Sequence, residues 1–187
     1  MNVYDFDKTI YDGDSTVDFY KFCIRRSPGL LRYTFRQGAG LVLYALGIYD
    51  KTRLKECFFS FLRGVRQPER MVRAFWDVHI DKIQPWYIRQ MQADDVIISA
   101  SPAFLLQEAM RRVGSATVIA SVVDISTGRY TGTNCYGQEK VRRFTELYPD
   151  GVIHAFYSDS LSDAPLGRMA QESFLVKGDT LCLTNWS

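Results

Sequence analysis

The sequence predicts an α/β fold, in which a Rossmann-like, mostly parallel sheet with helices on both faces is interrupted by an inserted all-helical cap. Two observations support this prediction. From about residue 96 onward, short apolar runs alternate with helical patterns, and one more such run stands at the start of the chain. About 75 residues of purely helical periodicity separate the first run from the second, which is too long for an ordinary crossover. We therefore expect a cap over residues 15–87 and a core over residues 1–14 and 88–187.

The first elements are a short strand and the helical block. Asn2, Val3 and Tyr4 predict a strand that ends at Asp5, where polar residues begin. Two apolar stripes at helical spacing mark the block: Leu54, Cys57, Phe58, Phe61 and Leu62, then Val72, Phe75, Trp76, His79 and Ile83.

The second half of the chain alternates between strand and helix. Strands are predicted at residues 96–98, 117–123, 153–157 and 174–176, with a hairpin turn near residues 126–128. Ser101 and Pro102 predict an N-cap followed by proline at the first helical position, and Gly114 predicts the end of that helix. Two later helices are expected, one beginning near Lys140 and one over residues 161–170.

Composition excludes several classes of protein. The 187 residues include 23 Lys and Arg against 21 Asp and Glu, so no nucleic-acid partner is expected. Four scattered cysteines contain no CxxC pair and predict free buried thiols rather than a zinc site. The N-terminus lacks a basic signal-peptide region, and the longest uncharged stretch is shorter than the roughly 20 residues of a membrane span. The cytoplasm is the expected compartment.

Polar residues stand at three predicted strand ends and at one helix start. Asp5 and Asp7 follow the first strand, the run Ser99-Ala100-Ser101 ends the second, Lys140 lies at the start of a later helix, and Asp159 and Asp163 follow the fourth strand. An open parallel sheet binds ligands at the carboxyl ends of its strands, so these side chains are expected to converge. Carboxylates suit Mg²⁺, while serine, lysine and a helix N-terminus suit phosphate.

Each of these residues alone has an ordinary structural explanation. An Asp-x-Asp pair can cap a helix or form a turn, Ser101 can be only a cap, and a lone Lys140 is typical of a solvated helix surface. Taken together in chain order, they indicate phosphoryl transfer, in which an aspartate beside a metal ion attacks phosphorus.

These motifs resemble the four motifs of the haloacid dehalogenase (HAD) superfamily. The matching residues are Asp5-Phe6-Asp7-Lys8-Thr9, Ser99, Lys140 and the pair Asp159 and Asp163. The helical insertion after the first motif resembles subfamily IB, the phosphoserine-phosphatase-like branch with a C1 cap. The resemblance covers nearly the whole chain.

The resemblance implies a role for each residue. Asp5 would be the nucleophile and Asp7 the general acid and base. Ser99, Ala100 and Lys140 would hold the phosphate. Mg²⁺ would be bound by the Asp5 carboxylate, the Asp7 carbonyl and Asp159, with Asp163 supporting its water shell. The expected substrate is a small phosphomonoester.

Three positions depart from the pattern of that branch. Lys8 stands where many members have glycine and adds a positive charge near the site. The fourth motif lacks the two glycines and the asparagine of the phosphoserine branch. Asp14 stands where phosphoserine phosphatases have a glutamate that reads the substrate's amino group, so a substrate-reading role for Asp14 is expected with a shorter side chain.

Residues 19–49 leave two interpretations of the cap open. The stretch combines an apolar run at residues 41–46 with the basic residues Arg25, Arg26, Arg32 and Arg36. One interpretation is a helical hairpin that packs on itself with its arginines in solvent. The other is a face that approaches a membrane, as the similar phosphatidylglycerophosphate phosphatases of this branch imply, with a lipid phosphate as substrate.

Two alternatives belong to other classes. A receiver-like domain also places aspartates, a hydroxyl and a lysine around Mg²⁺, but its phosphorylated aspartate follows a later strand and it carries no long cap. A catalytically silent binding module is disfavoured because Asp5, Asp7, Ser99, Lys140 and Asp159 are all intact.

Overall fold

The computed structural model describes residues 1–114 and 117–186, so part of the predicted core range lies outside the described residues at Ser115, Ala116 and Ser187. Six strands in the described ranges form one sheet in the order β3-β2-β1-β4-β5-β6. The strands are β1 (Asn2–Tyr4), β2 (Val96–Pro102), β3 (Thr117–Ser121), β4 (Ile153–Ser158), β5 (Ala170–Lys177) and β6 (Thr180–Leu183). All neighbouring pairs are parallel except β5 and β6, which confirms the predicted fold class.

Five helices lie between β1 and β2, and three lie in the rest of the described chain. The first group is α1 (Ser15–Arg26), α2 (Thr34–Ala45), α3 (Lys51–Phe59), α4 (Pro68–His79) and α5 (Pro85–Gln90). The second group is α6 (Ala103–Val113), α7 (Gln138–Leu147) and α8 (Ala164–Gly167). Gly114 ends α6 with a φ of +110°, as predicted.

The sheet is buried on both faces because successive strand residues point to opposite sides. In β1, Val3 belongs to one hydrophobic cluster and Tyr4 to the other, and both are fully buried. The Tyr4 side packs against α4, α5 and α6, and the Val3 side packs against α7 and α8. Helices therefore cover both faces, as the sequence predicts.

The helical block shares the hydrophobic core of the sheet. Trp76 of α4 is fully buried, and its indole Nε1 donates a hydrogen bond of 2.8 Å to the carbonyl of Leu105 in α6. Its ring also meets Phe6 edge to face, just beyond β1. The helical block thus packs beside β1 and the segment after it, which contains Asp5 and Asp7.

A chain reversal after β3 fastens α3 to the sheet. The predicted hairpin is present as an isolated bridge between Val123 and Tyr130 rather than as two full strands. The amide of Tyr130 donates to the Glu56 carboxylate at 3.0 Å. Gly128, with a φ of +73°, lies so close to α3 that an added Cβ would stand 2.3 Å from the carbonyl oxygen of Phe59. Only glycine fits this approach.

Two local predictions were wrong, and one strand was missed. Ser101 is not an N-cap, because β2 continues to Pro102, which pairs with Ser121 across an irregularity in the ladder. The helix expected over residues 161–170 is a single 3-10 turn (Leu161–Asp163) followed by the four-residue α8. The antiparallel strand β6 was not predicted.

Helix α2 packs on α3 but leaves its apolar side chains in solvent. Gly40 lies against Cys57, where an added Cβ would stand 2.4 Å from the Cys57 Cβ. The exposed apolar residues on and around α2 are Leu31, Phe35, Leu41, Val42, Tyr44, Leu46 and Ile48. The packing of α2 on α3 therefore agrees with the interpretation of a helical hairpin. That interpretation does not explain why the apolar side chains around α2 are exposed. None of the helices in the described ranges combines the length and apolar character that a bilayer crossing requires.

Candidate active site

The carboxyl ends of β1, β2 and β4 meet around a small polar cavity. Because β1 lies between β2 and β4, the chain crosses over in opposite directions on its two sides, which is where open sheets bind ligands. The cavity has a volume of about 160 Å³. It is lined by Asp5, Asp7, Lys8, Asp14, Ser99, Ala100, Tyr136, Lys140, Asp159, Ser160, Ser162 and Asp163. Every predicted site residue is among them.

Lys140 joins the first and last motifs at the bottom of this cavity. Its Nζ donates to Asp5 Oδ1 and to Asp163 Oδ2, both at 2.7 Å, and its side chain is only 3 % exposed. Ser158 also donates to Asp163 Oδ2, at 2.8 Å. Burial opposes the charge on Lys140, but the two carboxylates outweigh burial and raise its pKa. The lysine is therefore a permanent cation between two acids.

Asp5 is a buried carboxylate at the end of β1. Burial raises its pKa to about 7, an effect that the Lys140 ammonium partly offsets and the neighbouring Asp163 reinforces. Its Oδ1 is held by Lys140, and the backbone amide of Asp5 donates to the carbonyl of Tyr157 in β4 at 2.8 Å. One carboxylate oxygen is thus fixed by Lys140, and Asp5 lines the small cavity.

Asp7 is held by groups from two other elements. Its Oδ1 accepts from the amide of Ser15 at 2.7 Å, and its Oδ2 accepts a short hydrogen bond from Ser101 Oγ. Thr16 Oγ1 lies 3.0 Å from the same Ser101 hydroxyl. Burial and the nearby Asp14 raise the pKa of Asp7, which favours a proton on its carboxyl group.

Asp159 and Asp5 supply oxygen donors that fit Mg²⁺. Asp159 forms no ion pair within the described residues, and its amide donates to Thr9 Oγ1 at 3.0 Å, which ties β4 to the first motif. Burial raises the pKa of Asp159, and the neighbouring Asp163 raises it further. The described residues contain no cluster of three acidic, His or Cys side chains at metal-binding distance. Mg²⁺ does not need one, because it binds through one or two carboxylates plus waters.

Lys8 adopts a left-handed backbone with a φ of +56°. Its amide donates to the carbonyl of Gly13 at 2.8 Å, so the loop after β1 closes tightly at this residue. A lysine in this conformation is strained, which explains physically why glycine suits the position. The exposed ammonium group lines the cavity and lowers the pKa of Asp159, against the larger effect of burial.

A second, larger cavity of about 640 Å³ adjoins the small one. Asp7, Asp14, Ala100 and Tyr136 line both cavities. The walls of the larger cavity come mainly from α1, α2 and α3, and include Val17, Leu41, Leu54, Phe58 and Phe59. Two lysines of α3, Lys51 and Lys55, also line it. The larger cavity is therefore mainly apolar, and it opens beside the polar one.

Asp14 lies where the two cavities meet. Its Oδ1 accepts from the amide of Val17 at 2.9 Å, so the carboxylate is the N-cap of α1. The capping role occupies one oxygen and fixes the side chain at the boundary between the cavities.

The chain matches the family model described as haloacid dehalogenase-like hydrolase over residues 3–168. The chain belongs to this family. Membership places it among the HAD hydrolases rather than the receiver domains. No curated protein sequence is significantly similar to it.

Solved structures of other proteins share the fold. A protein of unknown function from Bordetella pertussis is 20% identical, with a TM-score of 0.73 over 92% of this chain and 87% of that one. A probable phosphoserine phosphatase from Vibrio cholerae is 14% identical, with a TM-score of 0.63 over 92% of this chain and 55% of that one. A phosphoserine phosphohydrolase-like protein from Francisella tularensis is 14% identical, with a TM-score of 0.55 over 92% and 86%. At these identities the likeness establishes the fold.

Sequence reasoning missed three polar residues of this HAD site. Ser101 was interpreted as a helix cap, although its spacing of two from Ser99 in a strand places both on one face. Lys55 lies next to the apolar stripe of α3, where a lysine is typical of a solvated helix edge. Asn134 belongs to a loop with no periodicity, so nothing in its sequence context marked it.

Proposed function

We propose that this HAD hydrolase is a Mg²⁺-dependent phosphomonoesterase that acts on a small phosphorylated metabolite through an aspartyl phosphate on Asp5. The observation that carries the proposal is the Lys140 bridge, in which one buried cation holds both Asp5 and Asp163 at 2.7 Å. Such a bridge orients a nucleophilic carboxylate and leaves a positive charge where phosphate oxygens would bind.

The metal would be held by the carboxylates of Asp5 and Asp159, with the Asp7 carbonyl as a third oxygen and Asp163 behind them. When bound, Mg²⁺ neutralises phosphate charge and makes phosphorus more electrophilic. Both carboxylates are available for this purpose, since Asp159 has no ion pair within the described ranges and Lys140 occupies only one oxygen of Asp5.

In the first chemical step, a carboxylate oxygen of Asp5 forms a bond to phosphorus and the ester P–O bond breaks. Asp7 donates its proton to the departing oxygen, so the leaving group departs as a neutral alcohol. The raised pKa of Asp7 supports this role. The hydrogen bonds from Ser15 and Ser101 lower this pKa in part, and they hold the carboxyl group in place. Ser99 and the amide of Ala100, with Lys140, hold the phosphoryl oxygens.

In the second step, water attacks the phosphorus of the aspartyl phosphate, and Asp7 accepts its proton. The acyl phosphate bond breaks, Asp5 returns as a carboxylate, and inorganic phosphate leaves. Asp7 is then protonated again and ready for the next turnover. Residues 15–87 serve in this proposal as the C1 cap that closes over the leaving group, and residues 1–14 and 88–187 as the core.

The test is hydrolysis of a generic aryl phosphate with Mg²⁺ or with chelator, by wild type, Asp5→Asn and Asp12→Asn. Asp12 is exposed and lies outside both cavities, so it controls for loss of a nearby carboxylate. We expect Mg²⁺-dependent turnover that Asp5→Asn lowers at least about 10³-fold and Asp12→Asn leaves intact. Turnover that survives Asp5→Asn would overturn the nucleophile assignment. A single labelling event without turnover would contradict hydrolysis itself.

The exposed apolar surface around α2 favours a second candidate, a lipid phosphate taken from an anionic membrane. Phe35 is 86% exposed and Leu46 is 67% exposed, and Leu41 belongs both to this surface and to the larger cavity. Basic residues flank the surface, including the exposed Arg32 and Arg36. Apolar and basic residues together are typical of a face that binds an anionic bilayer.

Flotation with vesicles tests this second candidate. We expect wild type to float with vesicles of phosphatidylcholine and phosphatidylglycerol but not with phosphatidylcholine alone, and Phe35→Asp to remain at the bottom. Leu183→Asp is the matched control, because Leu183 is 71% exposed on β6 and lies outside the cavity. Equal flotation of Phe35→Asp and wild type, or none by either, leaves the soluble metabolite as substrate.

A further inference from the structure

Lys55 of α3 occupies an unusual position in the wall of the larger cavity. It reaches from the helical block to the edge of the sheet, where its Nζ donates to the carbonyl of Ala100 at 3.1 Å and to Asn134 Oδ1 at 2.8 Å. No carboxylate in the described ranges forms an ion pair with it. It is a half-buried ammonium group held only by neutral oxygens.

The two acceptors of Lys55 are themselves fixed. Asn134 is 8% exposed, and its Oδ1 also accepts from Ser121 Oγ at 3.1 Å. Ser121 Oγ also lies 3.0 Å from the carbonyl of Ala100. An ammonium group has three protons, and these two oxygens take two of them. The third proton is free for an acceptor in the cavity.

Lys55 also lies on the leaving-group side of the site. It binds the carbonyl of Ala100, and the next residue, Ser101, donates to the proposed acid Asp7. Asp7 and Ala100 are shared by the two cavities. A group bound to Lys55 is therefore attached to the part of the substrate that Asp7 would protonate, rather than to the phosphate that is transferred.

We propose that Lys55 binds a second anionic group, a carboxylate or a second phosphate, on the leaving group of the substrate. A half-buried cation that forms no ion pair is costly to hold in the free protein, because the nearby carboxylates of Asp7 and Asp14 offset its burial only in part. An anion bound directly to Lys55 in the cavity would supply the missing ion pair. Lys51 adds positive charge at the mouth of the cavity, where its Nζ lies 3.7 Å from the centre of the Tyr136 ring. The inference rests on the proposed phosphatase site, since it assigns the other end of the same substrate.

Equilibrium binding of non-hydrolysable phosphonates separates this inference from the proposed function. Propylphosphonate carries no second charge, 3-phosphonopropionate carries a carboxylate, and propane-1,3-bisphosphonate carries a second phosphonate. Titration calorimetry with Mg²⁺ measures the affinity of wild type, Lys55→Met and Lys177→Met for all three. Lys177 is exposed on β5 outside both cavities and controls for the loss of one positive charge.

We expect wild type and Lys177→Met to bind at least one of the two doubly anionic phosphonates about 10-fold or more tightly than propylphosphonate. Lys55→Met should lose this preference while its affinity for propylphosphonate stays within about 3-fold, which also shows that the variant is folded. Whichever of the two phosphonates wild type prefers identifies the second group.

Two results would overturn the inference. One is a wild type that binds all three phosphonates equally. The other is a Lys55→Met variant that weakens all three alike, because Lys55 would then act only as a tie between α3 and the sheet. If Lys55→Met does not fold, Lys55→Gln replaces it, since its amide can still donate to the Ala100 carbonyl. Failure to hydrolyse any ester would contradict the proposed function without altering these binding results.

Discussion

The two cavities of the site are built differently. In the small cavity the buried cation Lys140 is matched by two carboxylates at 2.7 Å, and Asp7 has a partner for each oxygen. In the larger cavity the walls are mostly apolar, and Lys55 donates only to neutral oxygens, while the carboxylates of Asp7 and Asp14 lie in the same cavity wall without forming an ion pair with it. Lys140 and Asp7 of the small cavity thus have their partners before a substrate arrives, whereas Lys55 of the larger cavity has no ion pair in the described residues. If the proposed roles hold, the chemistry uses pre-organised groups, and recognition uses a charge that a ligand would satisfy.

The largest expected effect comes from removing a lysine that is paired with buried carboxylates, compared with a lysine of the larger cavity that is not. Lys140→Met leaves Asp5 and Asp163 buried without a counter-ion, and we expect a loss of about 3–5 kcal/mol in unfolding free energy. Lys51→Met, the control in the larger cavity, loses only a cation–π contact and should cost at most about 1 kcal/mol. Urea denaturation at pH 8 measures both.

The Lys140→Met loss should shrink as pH falls. With Lys140 in place, burial raises the pKa of Asp5 to about 7, and Lys140 lowers this pKa, so Lys140→Met raises it further. The folded variant therefore takes up a proton at a higher pH than folded wild type, and it regains stability relative to wild type as pH falls from 8 toward 7. Equal losses for the lysine variants at pH 8 would contradict the contrast between the cavities.

The second prediction concerns Gly128, which lies against Phe59 in the wall of the larger cavity. Gly128→Ala places a Cβ 2.3 Å from the Phe59 carbonyl oxygen at a φ of +73°, and we expect it to cost about 2–4 kcal/mol. Gly132→Ala is the matched control, because its φ is +81° but nothing lies within 4 Å of the added Cβ. It should cost about 1 kcal/mol from backbone strain alone. Thermal and urea unfolding of both variants give the difference, and equal costs would show that the contact with α3 is not tight.

The pre-organisation of the small cavity is tested by the hydroxyl that contacts Asp7. Ser101→Ala removes the hydrogen bond to Asp7 Oδ2, and we expect kcat/KM for an aryl phosphate to fall about 10–100-fold. Thr16→Val removes a hydroxyl one bond further away and should lower it by less than about 3-fold. Steady-state kinetics with saturating Mg²⁺ measures both. Equal effects would mean that Ser101 does not act through the carboxylate.

The smallest expected effect comes from backbone strain at the rim of the small cavity. Lys8 and Gln67 both have left-handed backbones, with φ of +56° and +53°, and Lys8→Gly and Gln67→Gly should each stabilise the chain by about 1 kcal/mol. Lys8 lines the cavity and Gln67 does not. Lys8→Gly should therefore also change the Mg²⁺ concentration that half-saturates activity, while Gln67→Gly should not. If this Mg²⁺ concentration changes in both variants, the change does not come from the loss of the Lys8 charge.

The small cavity could be predicted from the sequence, because its residues stand directly after strands. Asp5 follows β1 and Asp159 follows β4. Neighbouring parallel strands bring their carboxyl ends to the same edge of the sheet, whatever conformation the connecting loops adopt. The same reasoning failed at Ser101. The Ser-Pro pair is a good local signal for a helix start, but pairing of Pro102 with Ser121 extends the strand and turns the serine toward Asp7.

The larger cavity could not be predicted, because its walls come from helices whose mutual rotation the sequence does not determine. Lys55 lies beside an apolar stripe, where many lysines lie in solvent, and only the approach of α3 to Ala100 and Asn134 turns it inward. The antiparallel strand β6 was missed because four residues with three exposed side chains carry no periodic signal. Local pattern thus specified the residues of the chemistry, and tertiary packing specified those of recognition.

The close approach of Gly128 to Phe59 bears on how a product would leave the larger cavity. Together with the bonds from Tyr130 to Glu56 and from Lys55 to Asn134, it fastens α3 to the sheet at three places. We therefore expect the wall that carries Lys55 to move less than α2, whose Leu41 lines the same cavity and whose apolar side chains are exposed. In the proposed reaction the departing alcohol would then leave past α2 rather than past α3.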